Sequence, residues 1–117
     1  MDKVKIGKFG QKIAAEFLQK RGYIILAENF LTRFGEIDLV AQSGPQIVFV
    51  EVKTRLSQKF GLPEEAIDAN KKEKLLQAGL EYLAKNQVLS DNYRFDCVAI
   101  EIERAKKIAR IRHHKGI

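Results

Sequence analysis

Glu36, Asp38, Glu51 and Lys53 are ionisable side chains set inside two strongly apolar stretches, FGEIDLVA and IVFVEVKTR. Both stretches alternate with period two and read as strands, and QSGPQ between them reads as the turn of a hairpin. In the second strand Val48, Val50 and Val52 share one face, while Ile47, Phe49, Glu51 and Lys53 share the other. In the first, Ile37, Leu39 and Ala41 are expected to oppose Glu36, Asp38 and Val40. Apolar residues on both faces of both strands predict central strands covered on two sides. An ionised carboxylate there costs several kcal/mol unless it is paired or holds a metal. From residue types alone, a structural cross-strand ion cluster and a cation site both remain open.

The elements that must position these groups follow from the rest of the chain. Residues 7–21 predict an amphipathic helix, with Phe9, Ile13, Ala14, Phe17 and Leu18 on one stripe and Gly22 ending it. YIILAENFLT has strand character and turns near Phe34-Gly35 into the hairpin. The segment 55–70 is a polar loop with one helical turn expected at 64–68. Asn70 followed by Glu73 has the pattern of a capping box, opening a helix to about residue 86 with Leu75, Leu76, Gly79, Leu80 and Leu83 toward the core. A loop at SDNY precedes the strand RFDCVAIEI. A turn at Glu103–Ala105 leads to a last basic strand, KKIARIR. The order α-β-β-β-α-β-β predicts an α/β fold, a mixed central sheet with one helix on each face, in a single domain over residues 1–117.

The chain has 117 residues and a formal charge of +6, unevenly placed. Residues 1–103 hold 15 Lys+Arg and 15 Asp+Glu, so the excess comes from Arg104, Lys106, Lys107, Arg110, Arg112 and Lys115 in a stretch without an acid. Such a strand attracts polyanions, nucleic acid first. The same residues would also discourage pairing at a sheet edge. Cys97 is the only cysteine and lies in an apolar run, so an inert buried thiol is expected and an intramolecular disulfide is excluded. No apolar run approaches the length of a membrane span, and the first residues lack the apolar core of a secretory signal. A cytoplasmic protein without a membrane partner is expected. His113 and His114 are adjacent on a strand, so their rings should point apart.

The motifs GKFGQKIAAEFLQKRGY, the FGEIDLVA–VFVEVKTR pair, Lys71 and the RFD of 94–96 together resemble the YraN-like family. That family belongs to the PD-(D/E)XK nuclease superfamily and is similar in core to archaeal Holliday-junction resolvases. The resemblance covers about residues 7–100. It implies a restriction-endonuclease-like fold and a Mg²⁺-dependent (or Mn²⁺-dependent) endonuclease acting on branched or single-stranded DNA, with DNA expected ahead of RNA. Asp38, Glu51 and the carbonyl of Val52 would hold the metal, and Asp38, Glu51 and Lys53 would form the catalytic set. Glu36 and Gln11 would stand just outside it. Arg55, Lys71, Arg104, Lys107 and Arg110 would meet phosphates. Lys71, at a helix N-terminus where a cation is unfavourable, would be relieved by a nearby phosphate or carboxylate. Arg94 and Asp96 flank Phe95, and a cation on the core or hairpin is the expected partner of Asp96. Resolvase-like relatives act as dimers because a four-way junction has two equivalent cut sites, so a homodimer is implied.

The pattern departs at Gln11. Family members usually carry Glu after the second glycine, and an amide adds no negative charge for a second metal. Glu16 lies on the opposite flank of the helix and cannot take its place. A nucleic-acid-binding module with weakened turnover is therefore a competing expectation. A non-enzymatic domain whose basic strand meets an acidic protein is a third.

Overall fold

The computed structural model describes residues 3–56 and 61–117. The elements are α1 (Lys3–Lys20), β1 (Ile24–Thr32), β2 (Gly35–Ser43), β3 (Gln46–Arg55), a single 3₁₀ turn (Pro63–Ala66), α2 (Ala69–Lys85), β4 (Tyr93–Glu103) and β5 (Ile108–Lys115). They build one five-stranded sheet in the order β1-β2-β3-β4-β5. All neighbours are antiparallel except β3 and β4, which run parallel because α2 makes the crossover between them. α1 covers one face, with Ala14, Leu18, Leu39, Ala41, Val48, Val50, Val98 and Ile100 in its core. α2 covers the other, over Ile37, Val40, Ile47 and Phe49. The expected mixed α/β sheet, a restriction-endonuclease-like arrangement with a helix on each face, is what the chain forms.

Two glycines set how closely the helices approach. A Cβ added at Gly10 would collide with the Thr54 side chain, so α1 packs tightly against that residue of β3. One added at Gly79 would come within 2.9 Å of the Phe95 ring and 3.0 Å of Phe49. α1 closes with Gly22 in the left-handed region and the bonds Gly22 N–H to Gln19 and Tyr23 N–H to Leu18, both 3.0 Å. It begins at Lys3, a turn before the expected start, because no proline or cap residue separates KVKI from the amphipathic stretch.

The expectation that Asn70 caps α2 is corrected. Asp68 is the cap, accepting the Lys71 N–H at 2.8 Å, and Asn70 already lies inside the helix. Both residues are good caps, and the one nearer the preceding 3₁₀ turn is used. The expected turn at 64–68 forms as Pro63–Ala66, while residues 57–60 of the expected loop lie outside the described residues. β5 runs on through both histidines, longer than the expected strand.

The regular alternation expected in β2 is also corrected. Ile37 joins Val40 under α2, whereas Leu39 and Ala41 lie under α1, so the period-two pattern slips at Asp38. In the partner strand the register stays continuous here, and its one shift lies farther along, between Ile25 and Ala27. Asn29, between the pairs Glu28↔Leu39 and Phe30↔Ile37, has φ of +52°, a conformation that asparagine tolerates better than most residues. This irregularity frees Asp38 from the ladder and turns its carboxylate to another use.

Candidate metal centre

The β2–β3 ladder stops at Leu39↔Val50, whereas β3 stays paired with β4 as far as Arg55↔Glu101. Beyond residue 50, therefore, the backbone of β3 has a free edge toward β2, and Asp38 fills the fork. Its Oδ2 accepts the Val52 N–H at 2.8 Å. Within a strand the N–H and C=O of one residue point to the same edge, so the Val52 carbonyl faces this fork too. Glu51 is 4% exposed. Its Oε1 lies 3.4 Å from both Lys53 Nζ and Lys71 Nζ, while its Oε2 is buried without a hydrogen-bond partner among the described residues. Burial, and next the negative charge of Glu51, push the Asp38 carboxyl up to about 6, against the pull of the Val52 N–H, Lys71 and Lys53. Two carboxylates thus face each other where each would gain from a further cation.

The sequence brings Asp38, Glu51, Val52 and Lys53 together as expected, and adds one residue more firmly than its spacing allowed. Lys71 was foreseen as a phosphate contact at a helix start. The structure makes it the second ammonium on Glu51, and the carboxylate resolves the conflict between its charge and the helix dipole. Glu36 sits on the exposed end of β2, opposite Leu31, with no hydrogen bond or ion pair to the centre among the described residues. Gln11 gives both ends of its amide to Asn29, donating at 2.8 Å and accepting at 2.9 Å. It is therefore anchored to Asn29, which lies between the pairs that flank Asp38. Arg55 is half-buried at the exit of β3, on the rim of a groove against α1.

The remaining charged residues form two structural webs. Asp96 is fully buried and accepts from Arg94 Nε and Nη2 (both 2.8 Å) and from the Gly116 N–H (3.0 Å), with His113 Nε2 at 2.7 Å. Burial alone would raise its pKa, but His113, Arg94 and Gly116 hold it near 2. The RFD motif is thus a clamp between β4 and β5, and the guanidinium on Asp96 is Arg94 of the same motif rather than a cation from the core or hairpin. On the opposite face, Arg112 donates to Glu64 (2.6 and 2.8 Å) and to Glu101 (2.6 Å), and His114 Nε2 lies 2.7 Å from Glu64. This web straps the 3₁₀ turn to β5, and the Arg112 hydrogen bonds are the main reason the Glu64 carboxyl is held near 2. The two histidines do point apart. Cys97 is 1% exposed and burial, then Glu64 and Glu51, push its thiol to about 12, so it is inert.

The basic strand is less free than its composition suggests. Arg112 is committed to Glu64 and Glu101, and Arg110 and Lys106 both pair with Glu103. Arg104 and Lys107 are exposed at the β4–β5 turn, where Lys107 has φ of +54°. Glu103 is a near neighbour of both its partners, whereas Glu64 lies 48 residues from Arg112 and carries no local sequence signal.

Does the centre suit a hard divalent cation? The donors are two carboxylates and one carbonyl, all oxygen, and one carboxylate oxygen is buried with nothing to bind. Among the described residues no group of three or more His, Cys, Asp or Glu forms a complete cage. Mg²⁺ needs none, because it keeps several waters and is commonly held by one or two carboxylates plus substrate phosphates. The residues fit it. No helix among the described residues is long and apolar enough to cross a membrane.

Comparison with known proteins agrees with the motifs. The model of the uncharacterised protein family UPF0102 matches residues 10–100. A UPF0102 protein of Caldanaerobacter subterraneus subsp. tengcongensis is 44% identical over 91% of this chain and 87% of its own length. Another from Syntrophus aciditrophicus is 44% identical over 86% of this chain and 79% of its own. One from Moorella thermoacetica is 39% identical over 99% and 97%. These names describe no activity, so the chemistry has to be argued from the site.

Proposed function

The chain belongs to the uncharacterised protein family UPF0102, and within it we propose a Mg²⁺-dependent endonuclease that hydrolyses phosphodiester bonds in DNA. The observation that carries this reading is the buried, unpartnered Oε2 of Glu51 beside an Asp38 whose pKa is raised to about 6. A folded protein keeps such a pair only at a cost, and a divalent cation between the carboxylates would offset it. Asp38 and Glu51, with the Val52 carbonyl, would hold Mg²⁺ or Mn²⁺. When bound, the ion would supply a nucleophilic water and neutralise the scissile phosphate.

The protein's own groups divide the remaining work. The Val52 N–H fixes one oxygen of Asp38 and so its orientation. Glu51 holds the Lys53 ammonium 3.4 Å away, where it can donate to an incoming water or to a non-bridging phosphate oxygen. Lys71, over a third exposed at the start of α2, presents its charge together with the helix N-terminus, which suits a substrate phosphate. DNA ahead of RNA, and a branched or single-stranded substrate, rest on the resemblance to resolvases.

A second reading has its own support. With Gln11 engaged by Asn29, no third carboxylate among the described residues reaches the fork from α1, which favours one metal or a binding module with weakened turnover. One experiment separates them: branched, single-stranded and linear DNAs incubated with Mg²⁺ or Mn²⁺, with Asp38→Ala and Lys53→Ala in parallel. The endonuclease reading expects metal-dependent cleavage that both variants lose. Cleavage that persists in both, or binding without any cleavage, overturns it.

A further inference from the structure

On the face of β3 away from Glu51 and Lys53, a groove of about 630 Å³ runs between the first turns of α1 and the end of β3. Ile6, Val52 and Leu56 give it an aliphatic lining, Thr54 adds a hydroxyl, and Lys3 and Arg55 supply cations. No acidic residue lines it among the described residues. Val52 ties it to the metal centre. It forms part of the lining while its N–H binds Asp38, so groove and fork lie within about one nucleotide spacing, the ~7 Å reach of two strand residues.

We propose that this groove is a binding site for one unpaired nucleotide next to the phosphate at the centre. The base would lie against the aliphatic lining and its phosphates would meet Arg55 and Lys3. The volume falls in the range of small-ligand sites, and an apolar lining beside two cations can shelter a base from water while holding its phosphate, without reading its sequence. Duplex DNA cannot offer a base there unless it is opened. The site therefore selects single-stranded or branched DNA over linear duplex. The inference rests on the endonuclease reading for the position of the phosphate, but its test needs no turnover.

Gly7 makes the test clean. A Cβ at this position meets no heavy atom within 4 Å, and Gly7 itself lines the groove. In Gly7→Leu the side chain enters free space, and a glycine leaves a helix interior, which favours folding. Fluorescence anisotropy in EDTA would follow a fluorescein-labelled single-stranded oligonucleotide, the same oligonucleotide with abasic sites, and a linear duplex. Gly7→Leu should weaken the intact single strand about tenfold, in the range of losing one base contact, while abasic and duplex DNA change less than about twofold. Arg55→Ala should weaken intact and abasic strands alike and lower the salt dependence. Unchanged single-strand affinity in Gly7→Leu, or an equal loss for the abasic strand, overturns the proposal. Groove binding that behaves as expected without any Mg²⁺-dependent cleavage sinks the endonuclease reading alone.

Discussion

Asp38→Asn tests the charge state of the centre without altering its shape. The asparagine amide oxygen can still accept the Val52 N–H, so the variant removes the charge and little else. In the folded protein burial, and next the charge of Glu51, push the Asp38 carboxyl up to about 6 from the ordinary 3.8. The native state thus binds the proton more tightly than the unfolded chain does. Stability that is fully present below pH 3.8 is lost as the pH rises through 6. Just over two units, at about 1.4 kcal/mol each, amount to roughly 3 kcal/mol. For a domain of this size that corresponds to a midpoint change on the order of 10 °C. Urea and thermal melts of both proteins between pH 3.5 and 8 should show Asp38→Asn the more stable above pH 7, with the gap closing toward pH 4. Millimolar Mg²⁺ should then narrow the gap at pH 7.5, since only the wild type gains the ion's binding energy. A variant less stable than wild type at pH 7.5, or a gap that ignores pH, would refute the reasoning.

Asp96→Asn should behave with the opposite sign: its pKa is held near 2, so the charge stabilises the fold above pH 3.8 and is lost as pH falls toward 2. Urea melts at pH 7 should show a loss of about 2.5 kcal/mol that shrinks on acidification. Gly10→Ala should cost about 1–3 kcal/mol, because its methyl group would lie on Thr54, and Thr54→Ala in the same chain should recover part of it; equal melts for wild type and Gly10→Ala would disprove the tight helix–strand contact. Neutralising Arg104 and Lys107 should weaken DNA binding and flatten its salt slope by about two, measured by anisotropy across a salt series. Adding Arg110→Gln should change the slope less, since Glu103 already holds that side chain.

The order of elements along the chain, the hairpin and the meeting of Asp38, Glu51 and Lys53 were legible because alternation and a short turn are local signals. Less legible was the slip at Asp38. FGEIDLVA alternates without a flaw on paper, and the only hint, Asn29, sits on another strand and takes its unusual φ from the packing around it. Lys71 could be read only as a charge misplaced on a helix dipole; its carboxylate partner is 20 residues away. The choice of Asp68 over Asn70 turned on where the 3₁₀ turn ends, which no capping pattern encodes. Glu64 gave no signal, since its partners Arg112 and His114 come from the far end of the chain. In the basic tail, charge counted along the sequence omits the pairing of Arg112 with Glu64 and Glu101 from other elements.

The parallel joint between β3 and β4 has a consequence for how the protein is made. Strands β1 to β3 are joined by short turns, so a ribosome releasing the chain from its N-terminus exposes Asp38 and Glu51 while residues 56–92 are still to come. Lys71 arrives with that stretch and the covering strand β4 only after it, and the closure linking them is the long-range step that slows acquisition of such topologies. A nascent chain therefore carries its two acidic groups in water, where they cost nothing. The electrostatic tension that gives the finished centre its appetite for a cation is wound up only at the last stage of assembly.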